Sequence, residues 1–411
     1  MPVTLPPAES PEPRPSPPRL ILWLVFLILI MVAGGVGTLV TWPKADPTGT
    51  QKFWIQLLAI PFLLWAVGFG LRALYYEQES DRIDAESEVL RADREKALQF
   101  ACDPLAVVGS AYLTGAGTGD VAAILAKETD AREALALGNE TDVNGFSALP
   151  LIGDDEDPSR YRVCFQELIR SIANSVRTIP RDAPFSVKLQ LPEDADKEAL
   201  LNLWQACWHA EKLRVMKAGV IETDTGVMLL DEWLDVRGGP ELEKFLLLAA
   251  ARLHHTPEQG GSEAAVALLL SWAPLARRHY INPIALLHRP VEAEADNTDT
   301  ALINALQWGR TTGDKVNHLW EAGLRSTDKA AIAKSMSGLA SGVTQSENLS
   351  GIHDVDSILG HLGGATGWLA IALGIEHAAN SNSPQLIAWR EHLLRFAVVQ
   401  PVGQTSTDAT V

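Results

Sequence analysis

The stretch GHLGGATGWLAIALGIEHA, residues 360 to 378, joins a glycine-rich turn to a long apolar run. Glycine tolerates backbone conformations and close contacts that any side chain would prevent. The apolar run is too continuous for a surface helix, so it predicts a helix buried in the core. The turn contains one histidine and four glycines: His361, Gly360, Gly363, Gly364 and Gly367. His361 is either a catalytic residue or a turn residue kept for packing.

Composition limits the possible functions. The chain has 411 residues, with 51 acidic against 34 basic side chains and a net charge of −17. A nucleic-acid surface needs a basic face that releases counterions, so this charge argues against a nucleic-acid partner. The length is sufficient for one large domain with its own core.

The three cysteines, Cys102, Cys164 and Cys207, are odd in number and show no CxxC spacing. Neither a disulfide framework nor a zinc knuckle follows from that pattern, which fits a reducing compartment best. We predict no metal site and no cofactor. The glycine-rich segment GAGTGD, residues 115 to 120, has no lysine to complete a phosphate-binding loop.

Two apolar segments near the N-terminus predict a membrane hairpin over residues 20–71. Residues 20–42 and 53–71 contain no charged side chain, and each is long enough to cross about 30 Å of hydrocarbon as a helix. The short connection between them places both chain ends on one side. Basic residues lie mainly outside the hairpin, at 14–19 and 72–96, so both termini are predicted to be cytoplasmic.

Composition also divides the rest of the chain. Residues 1–19 form a proline-rich tail that is predicted to be disordered, because its prolines and charges cannot bury a core. Residues 72–100 carry charges of alternating sign and predict an exposed helical stalk. The main domain is assigned to residues 101–400, and residues 401–411 form a polar tail.

The main domain alternates strand-like and helix-like segments, which favours sheets covered by helices in a layered α/β fold. Two of its alanine-rich runs, FLLLAAARLH and SEAAVALLL, fit a strand or a helix equally well. Including them, strands are predicted at PLAVVGSAYL, FSVKLQLP, AGVIETDTGVMLL, FLLLAAARLH, AAVALLLSW, PIALLHRPV, PQLIAW and LLRFAVVQP.

The glycine turn, the apolar helix and the two closing strands resemble the C-terminal half of the thiolase-like superfamily. The similarity is to the β-ketoacyl synthase group, whose GH-x-x-GAAG segment begins a helix in the same manner. The resemblance implies that His361 corresponds to a histidine that polarises a thioester carbonyl and assists decarboxylation. It also implies that the four glycines of the turn let the backbone and an acyl chain approach closely.

Two other parts of a ketosynthase site are missing from the sequence. A cysteine nucleophile belongs at a strand-to-helix elbow, but no cysteine here is followed by the small residues that such an elbow needs. The nearest analogue of the second histidine turn, HGTGT, is WGRTTGD at residues 308 to 314, where Trp308 takes the place of the histidine. His361, Cys164 and Cys207 therefore remain only weak catalytic candidates in a vestigial site.

The ALQWG, LWEAGL and GHLGGATGWLAIAL segments are also similar to accessory proteins of type VI secretion gene clusters in Gram-negative bacteria. That resemblance implies a non-catalytic adaptor or scaffold at the bacterial inner membrane, which binds a protein partner such as a secreted effector or a spike component. A ketosynthase-type domain also suggests a homodimer. The alternative is a membrane-bound acyl-transfer or condensing enzyme that uses His361 with Cys164 or Cys207.

Overall fold

The computed structural model describes residues 3, 5–7, 12–44, 47–127, 148–150, 157–222, 225–254, 261–294, 297–346 and 349–404. The chain folds into two compact units. The hairpin unit is Thr4–Gln99, and the α/β unit is Phe100–Val411 together with Met1–Val3.

Two long helices make up the hairpin unit. The first, α1, is Leu20–Thr41, and α2 is Gln51–Ala101, which contains a π-helical turn at Ile55–Ala59. Both are long and apolar enough to cross a membrane. They pack as an antiparallel pair, in which the Trp65 indole donates to the Trp23 carbonyl at 2.8 Å.

The tail before α1 is held along the charged part of α2. Residues 12–19 contain no helix or strand. Arg14 pairs with Asp84 at 3.1 Å, and Arg82 pairs with Glu12. These pairs are solvent-exposed, and exposed pairs contribute about 0–1 kcal/mol each. The sequence predicts a disordered tail, and in the structure weak surface contacts hold part of this tail against α2.

The α/β unit contains ten helices and eleven strands among the residues that the structure describes. In chain order the helices are α3 Val121–Ala126, α4 Asp157–Arg177, α5 Lys197–Ala210, α6 Leu229–Leu234, α7 Ala273–Arg278, α8 Thr298–Trp308, α9 Ser326–Gly338, α10 Gly342–Gln345, α11 Val355–Leu359 and α12 Thr366–Ser381. The strands are β1 Leu105–Thr114, β2 Phe185–Gln190, β3 Ala218–Val220, β4 Phe245–Arg252, β5 Ala264–Trp272, β6 Ala285–Leu287, β7 Val291–Glu292, β8 His318–Ala322, β9 Ile352–Asp354, β10 Gln385–Arg390 and β11 Leu394–Pro401.

The strand order repeats once. The sheet runs β3-β2-β4-β5-β1-β6-β11-β10-β8-β9, with β7 also paired to β11. In the first half β3, β2 and β4 are parallel, and β5 and β1 follow antiparallel. In the second half β9, β8 and β10 are parallel, and β11 and β6 follow antiparallel. The two halves therefore have the same topology and meet where β1 pairs with β6.

Three buried clusters define five layers. One cluster joins α4 and α5 to the outer face of the first-half strands, and another joins α8 and α9 to the outer face of the second-half strands. The third lies between the halves and contains α6 and α12. The predicted layered α/β fold is confirmed, and the apolar run of residues 368–375 is the buried helix α12.

Two strands of the second half escaped prediction, and one predicted strand is too long. β8 carries His318 and Glu321, which interrupt its apolar pattern, and β9 has only three residues. AGVIETDTGVMLL is a strand only at Ala218–Val220. The rest of that segment turns into a 3-10 helix at Gly226–Met228 and then into α6.

Candidate functional site

The predicted glycine turn lies between α11 and α12. It contains a 3-10 helix at Gly363–Ala365. Gly363 has a φ of +54°, a left-handed conformation that favours glycine, and a Cβ there would displace the Arg252 guanidinium. The carbonyl of His361 accepts a hydrogen bond from Ser262 N–H at 3.0 Å, while the His361 side chain is exposed.

A buried amide fixes the turn to the first half of the fold. Gln190, at the end of β2, donates through Nε2 to the Gly364 carbonyl at 3.1 Å. Its Oε1 accepts from the Trp368 indole N–H at 2.5 Å. Gln190 and Trp368 are 5 % and 2 % exposed. A buried polar pair of this kind stabilises the turn because both partners of each bond are shielded from water.

Close packing at Gly367 brings the start of α12 against Trp389 on β10 and against Val227, which follows β3 in the chain. A Cβ at this position would lie 2.6 Å from Trp389 Nε1 and 2.9 Å from Val227 Cγ2. Those distances are well inside van der Waals contact, so only glycine fits without moving the indole or the valine. Gly363 and Gly367 therefore serve close packing in the turn.

The structure identifies the strand-to-helix elbow, which the sequence did not. It lies between β3 and α6 and ends at Gly226, which has a φ of +49°. The sequence of this elbow is IETDTG, residues 221 to 226, and it contains no cysteine. The Glu391 carboxylate lies directly against Gly226, where a Cβ would collide with it. Positions 223 and 224 lie outside the described residues.

Glu391 is held in place by a buried arginine. Arg395, which is 3 % exposed, pairs with Glu391 and, through Nε, with Glu292 Oε2 at 2.9 Å. Burial raises the pKa of the Glu391 carboxyl, although Arg395 opposes that shift. The carboxylate therefore occupies the space in front of the elbow as part of an ordered ion pair.

A second glycine turn, after β8, completes the site. Gly323 donates its N–H to Asp356 Oδ2 at 2.5 Å. A Cβ at Gly323 would lie 2.7 Å from the Arg390 carbonyl and 3.2 Å from Thr366 Cγ2. Burial raises the pKa of the Asp356 carboxyl, whose Oδ1 has no hydrogen-bond partner. The site is thus formed by the elbow, the turn at Gly323, the end of β10 and the glycine turn.

The structure places Trp308 elsewhere, which corrects its assignment to the vestigial site. Trp308 is the last residue of α8, is 2 % exposed, and packs in the cluster on the outer face of the second half. The turn that faces the start of α12 is instead the one at Gly323. Sequence reasoning missed it because β8 was not predicted, so the glycine that follows that strand carried no signal.

The candidate cysteines also lie in a different layer of the fold from the glycine turn. Cys164 on α4 and Cys207 on α5 lie in the cluster on the outer face of the first half, whereas the glycine turn borders the central cluster. Burial raises the pKa of the Cys164 thiol to about 12 and raises that of Cys207. The third thiol, Cys102, donates to the Gln307 carbonyl at 3.3 Å, and its pKa is also raised by burial. Such thiols are poor nucleophiles.

A cavity of about 320 Å³ adjoins the turn. Gln190, Arg252, Gly364 and Ala365 line its inner side, and Glu193 and Asp194 are exposed at its edge. Its lining is mixed polar and apolar, and none of the three cysteines is among the residues that line it. No group of three or more His, Cys, Asp or Glu in the described part of the chain could hold a metal ion.

Comparison with known proteins shows the fold. No protein-family model and no curated protein sequence matches this chain. The ketosynthase from module 1 of the bacillaene synthase of Bacillus amyloliquefaciens FZB42 aligns with a TM-score of 0.51 at 15% identity, over 74% of this chain and 76% of that one. Ketosynthase twelve of the bacillaene polyketide synthase of Bacillus amyloliquefaciens gives 0.51 at 13%, over 73% and 75%.

An oxazolomycin ketosynthase domain from Streptomyces albus JA3453 gives a TM-score of 0.50 at 14% identity, over 74% of this chain and 96% of that one. The α/β unit therefore has the thiolase-like ketosynthase fold. At these identities the likeness establishes the fold, and function must be argued from the site.

Proposed function

We propose that the α/β unit is a non-catalytic binding domain of ketosynthase fold, which the two apolar helices anchor in a membrane. The observation that carries this proposal is the elbow. Its sequence, residues 221 to 226, contains no cysteine, and the Glu391 carboxylate lies against its glycine. The site has the shape of an enzyme site without its nucleophile.

Thioester chemistry needs a thiolate within hydrogen-bond reach of a base, and open space for the acyl group. His361 is exposed on the turn, whereas the three thiols are buried and have raised pKa values. The space in front of the elbow holds a carboxylate that Arg395 fixes. These three features together favour binding over acyl transfer.

Acylation is the direct test. The full-length protein in detergent is incubated with acyl-CoA and with acylated carrier protein, and its intact mass is measured. We expect no adduct, while a working ketosynthase treated in parallel becomes acylated. A stable acyl adduct that maps to Cys164, Cys207 or a residue of the elbow would overturn the proposal.

For the partner, we propose a protein at the cytoplasmic face of the bacterial inner membrane. Support comes from the two apolar helices and the basic residues that flank them. The type VI secretion setting rests only on the resemblance of the short ALQWG, LWEAGL and GHLGGATGWLAIAL segments. In that setting the partner is a secreted effector or a spike component. A homodimer, as is common for oligomers of soluble domains, belongs to the same proposal.

Photo-crosslinking tests the partner site. A photoreactive residue replaces Glu193, at the edge of the cavity, and in a matched control it replaces the exposed Glu198 on α5. Crosslinks to an effector or spike protein from position 193 only are expected. Equal yields from both positions, or none in cells that carry the secretion cluster, would contradict this assignment.

The ketosynthase fold itself favours a second candidate, a membrane-bound condensing or acyl-transfer enzyme. Such an enzyme would use His361 with Cys164 or Cys207. Substituting the two cysteines with alanine separately distinguishes the candidates, because a condensing enzyme loses its product with one of them. An unaltered product profile in both variants would exclude the condensing-enzyme candidate.

A further inference from the structure

Three histidines from distant parts of the sequence meet at the other end of β8 from the site. His318 begins β8, His353 lies in β9 and His377 lies in the last turns of α12. We call these three residues the histidine cluster. Their ring centroids are 4.4, 5.2 and 5.9 Å apart. His318 Nδ1 and His353 Nε2 share a hydrogen bond of 3.0 Å.

His353 is buried, His318 and His377 are half-buried, and the cluster has few polar partners. His353 is 3 % exposed, and His377 Nε2 is buried with no hydrogen-bond partner. Trp320 packs against the rings of His353 and His377, and its indole N–H donates to Gln385 rather than to a histidine. Neutral imidazoles tolerate this packing, whereas an imidazolium would need solvent or a counter-ion.

The charged groups around the cluster are engaged elsewhere or face solvent. Glu376, beside His377 on α12, accepts from the Tyr112 hydroxyl, and Asp354, beside His353, pairs with Lys329. Asp314 lines the same open cavity of about 390 Å³ as His318. The helix α3, which contacts β9, has only apolar residues and is followed by the exposed Lys127. None of these carboxylates contributes to the pKa of a cluster histidine.

Burial lowers the pKa of all three side chains, and neighbouring imidazoles reinforce the shift at His353 and His377. The pKa of His353 falls to about 3 and that of His377 to about 4, while that of His318 is lowered by burial alone. The cluster is therefore neutral at pH 7. As pH falls below 6.5, an opened form in which the imidazoles reach water binds protons that the closed form excludes.

The cluster is connected to the functional site by a short segment. β9 is an edge strand that pairs only with β8 among the described residues. It leads through α11, which carries Asp356, to His361 in the glycine turn. Separation of β9 from β8 would thus withdraw Asp356 from Gly323 and loosen the turn.

We propose that the histidine cluster is an acid-sensitive switch, in which protonation separates β9 from β8 and releases residues 352–361. The device is independent of whether the site binds a partner or a substrate. A histidine whose pKa moves from 6.5 to about 4 shifts the open-to-closed ratio by roughly 30-fold at pH 5, and by less than about 2-fold at pH 7.

Hydrogen exchange of the full chain in detergent, at pH 7.5 and pH 5.0 with correction for the intrinsic rate, tests this switch. Peptides that cover 352–361 are expected to exchange roughly 20-fold faster at the lower pH, whereas peptides over β10 keep their protection. The double variant His353→Gln and His377→Gln should remove the difference. The control His209→Gln, at an exposed position on α5, should retain it.

Equal protection at both pH values would overturn the proposal, as would a difference that persists in the double variant. A difference that vanishes on adding a chelator would show that a bound metal controls the segment, which also overturns it. If the double variant lacks a cooperative thermal transition at pH 7.5, His353→Gln alone replaces it and must reduce the difference between the two pH values, and an unreduced difference would overturn the proposal. Exchange at imidazole C2, followed by mass spectrometry, must give midpoints below 5 for His353 and His377, and midpoints near 6.5 would contradict the switch.

Discussion

The two halves of the α/β unit share one topology but differ in the segment that follows the edge strand, β3 in the first half and β9 in the second. In the first half β3 leads to an elbow, a single 3-10 turn and the six-residue helix α6. In the second half β9 leads to the glycine turn and the sixteen-residue buried helix α12. The first-half elbow lacks a cysteine and lies under Glu391, whereas the second-half turn keeps its glycines and its tight packing.

This difference separates packing from chemistry. The glycine turn supports the longest helix of the central layer, so a side chain added at its closely packed position Gly367 disturbs the core. The elbow leads only into a short helix, so the fold places fewer demands on its sequence. A segment that resembles a catalytic motif can therefore be retained because the fold needs it.

Truncation of Trp368 is expected to have the largest effect. This side chain is 2 % exposed, and its indole N–H is bonded to Gln190. Trp368→Ala should lower the free energy of unfolding by about 3–5 kcal/mol, because it leaves a cavity and an unpaired amide. Urea unfolding followed by circular dichroism measures the loss. Tyr280→Ala, at a position that is 93 % exposed, is the control and should change stability by less than about 0.5 kcal/mol.

Two glycine substitutions should have opposite signs. Gly367→Ala must displace Trp389 or Val227 and is expected to destabilise by about 1–3 kcal/mol. Gly338→Ala, at the end of α9 where a Cβ meets nothing within 4 Å, should be neutral or stabilising by up to about 1 kcal/mol. Thermal melting of both variants provides the measurement. A similar loss for both would show that the glycine turn is not specially packed.

The outer layers of the two halves also differ, and this difference can be measured through the pH dependence of the free energy of unfolding. Glu321 on β8 occupies the outer-face position that Leu189 occupies on β2. Burial raises the pKa of Glu321 from 4.5 to about 7. Because the pKa of Glu321 is higher in the folded than in the unfolded state, the folded protein binds this proton first as pH falls. Its contribution to the free energy of unfolding is therefore complete below pH 4.5 and is lost as pH rises to 7.

Glu321→Gln is therefore expected to match the parent protein at pH 4.5 and to exceed its stability by about 1–2 kcal/mol at pH 7.5. The free energy of unfolding, measured against urea at both values, checks this. Equal stability of the two proteins at pH 7.5 would mean that Lys329, at 3.8 Å, keeps the carboxylate ionised without cost.

The smallest effect is expected at His361. Its side chain is exposed and the hydrogen bond of this residue to Ser262 comes from the backbone, so His361→Ala should change stability by less than about 0.5 kcal/mol. Melting of the variant beside Gly367→Ala tests the contrast within one turn. A loss as large as that of the glycine variant would give the imidazole a structural role.

The sequence predicted the parts of the fold whose signal is local. The strands β1, β10 and β11, the helix α12 and the glycine turn follow from hydrophobic pattern and from glycine alone. The pattern of β4 and β5 fits a strand or a helix equally well, and the structure decides for strands. β8 and β9 do not, because Glu321, His318 and His353 break the pattern and find their partners only in the folded sheet. The elbow was missed because it lies within the predicted strand AGVIETDTGVMLL. The segment ETDTG could be separated from that strand only after the structure showed that β3 ends at Val220.

The site was predicted in part. Turn glycines were found from the motif, whereas the pairs Gly323 with Asp356 and Gly226 with Glu391 form between distant segments and leave no spacing signal. Trp308 was misplaced because a short glycine and threonine pattern in WGRTTGD has little specificity. The histidine cluster was overlooked because its members are 24 residues or more apart in the sequence.

Alkylation of the native thiols tests most directly whether the site lacks a nucleophile. Full-length protein in detergent at pH 7.5 is treated with iodoacetamide, and its intact mass is followed beside a denatured sample. We expect no adduct in the native protein over the time in which a free thiol reacts fully, and three adducts after unfolding. One rapid adduct in the native protein, blocked by prior addition of acyl-CoA, would contradict this and would show a working nucleophile.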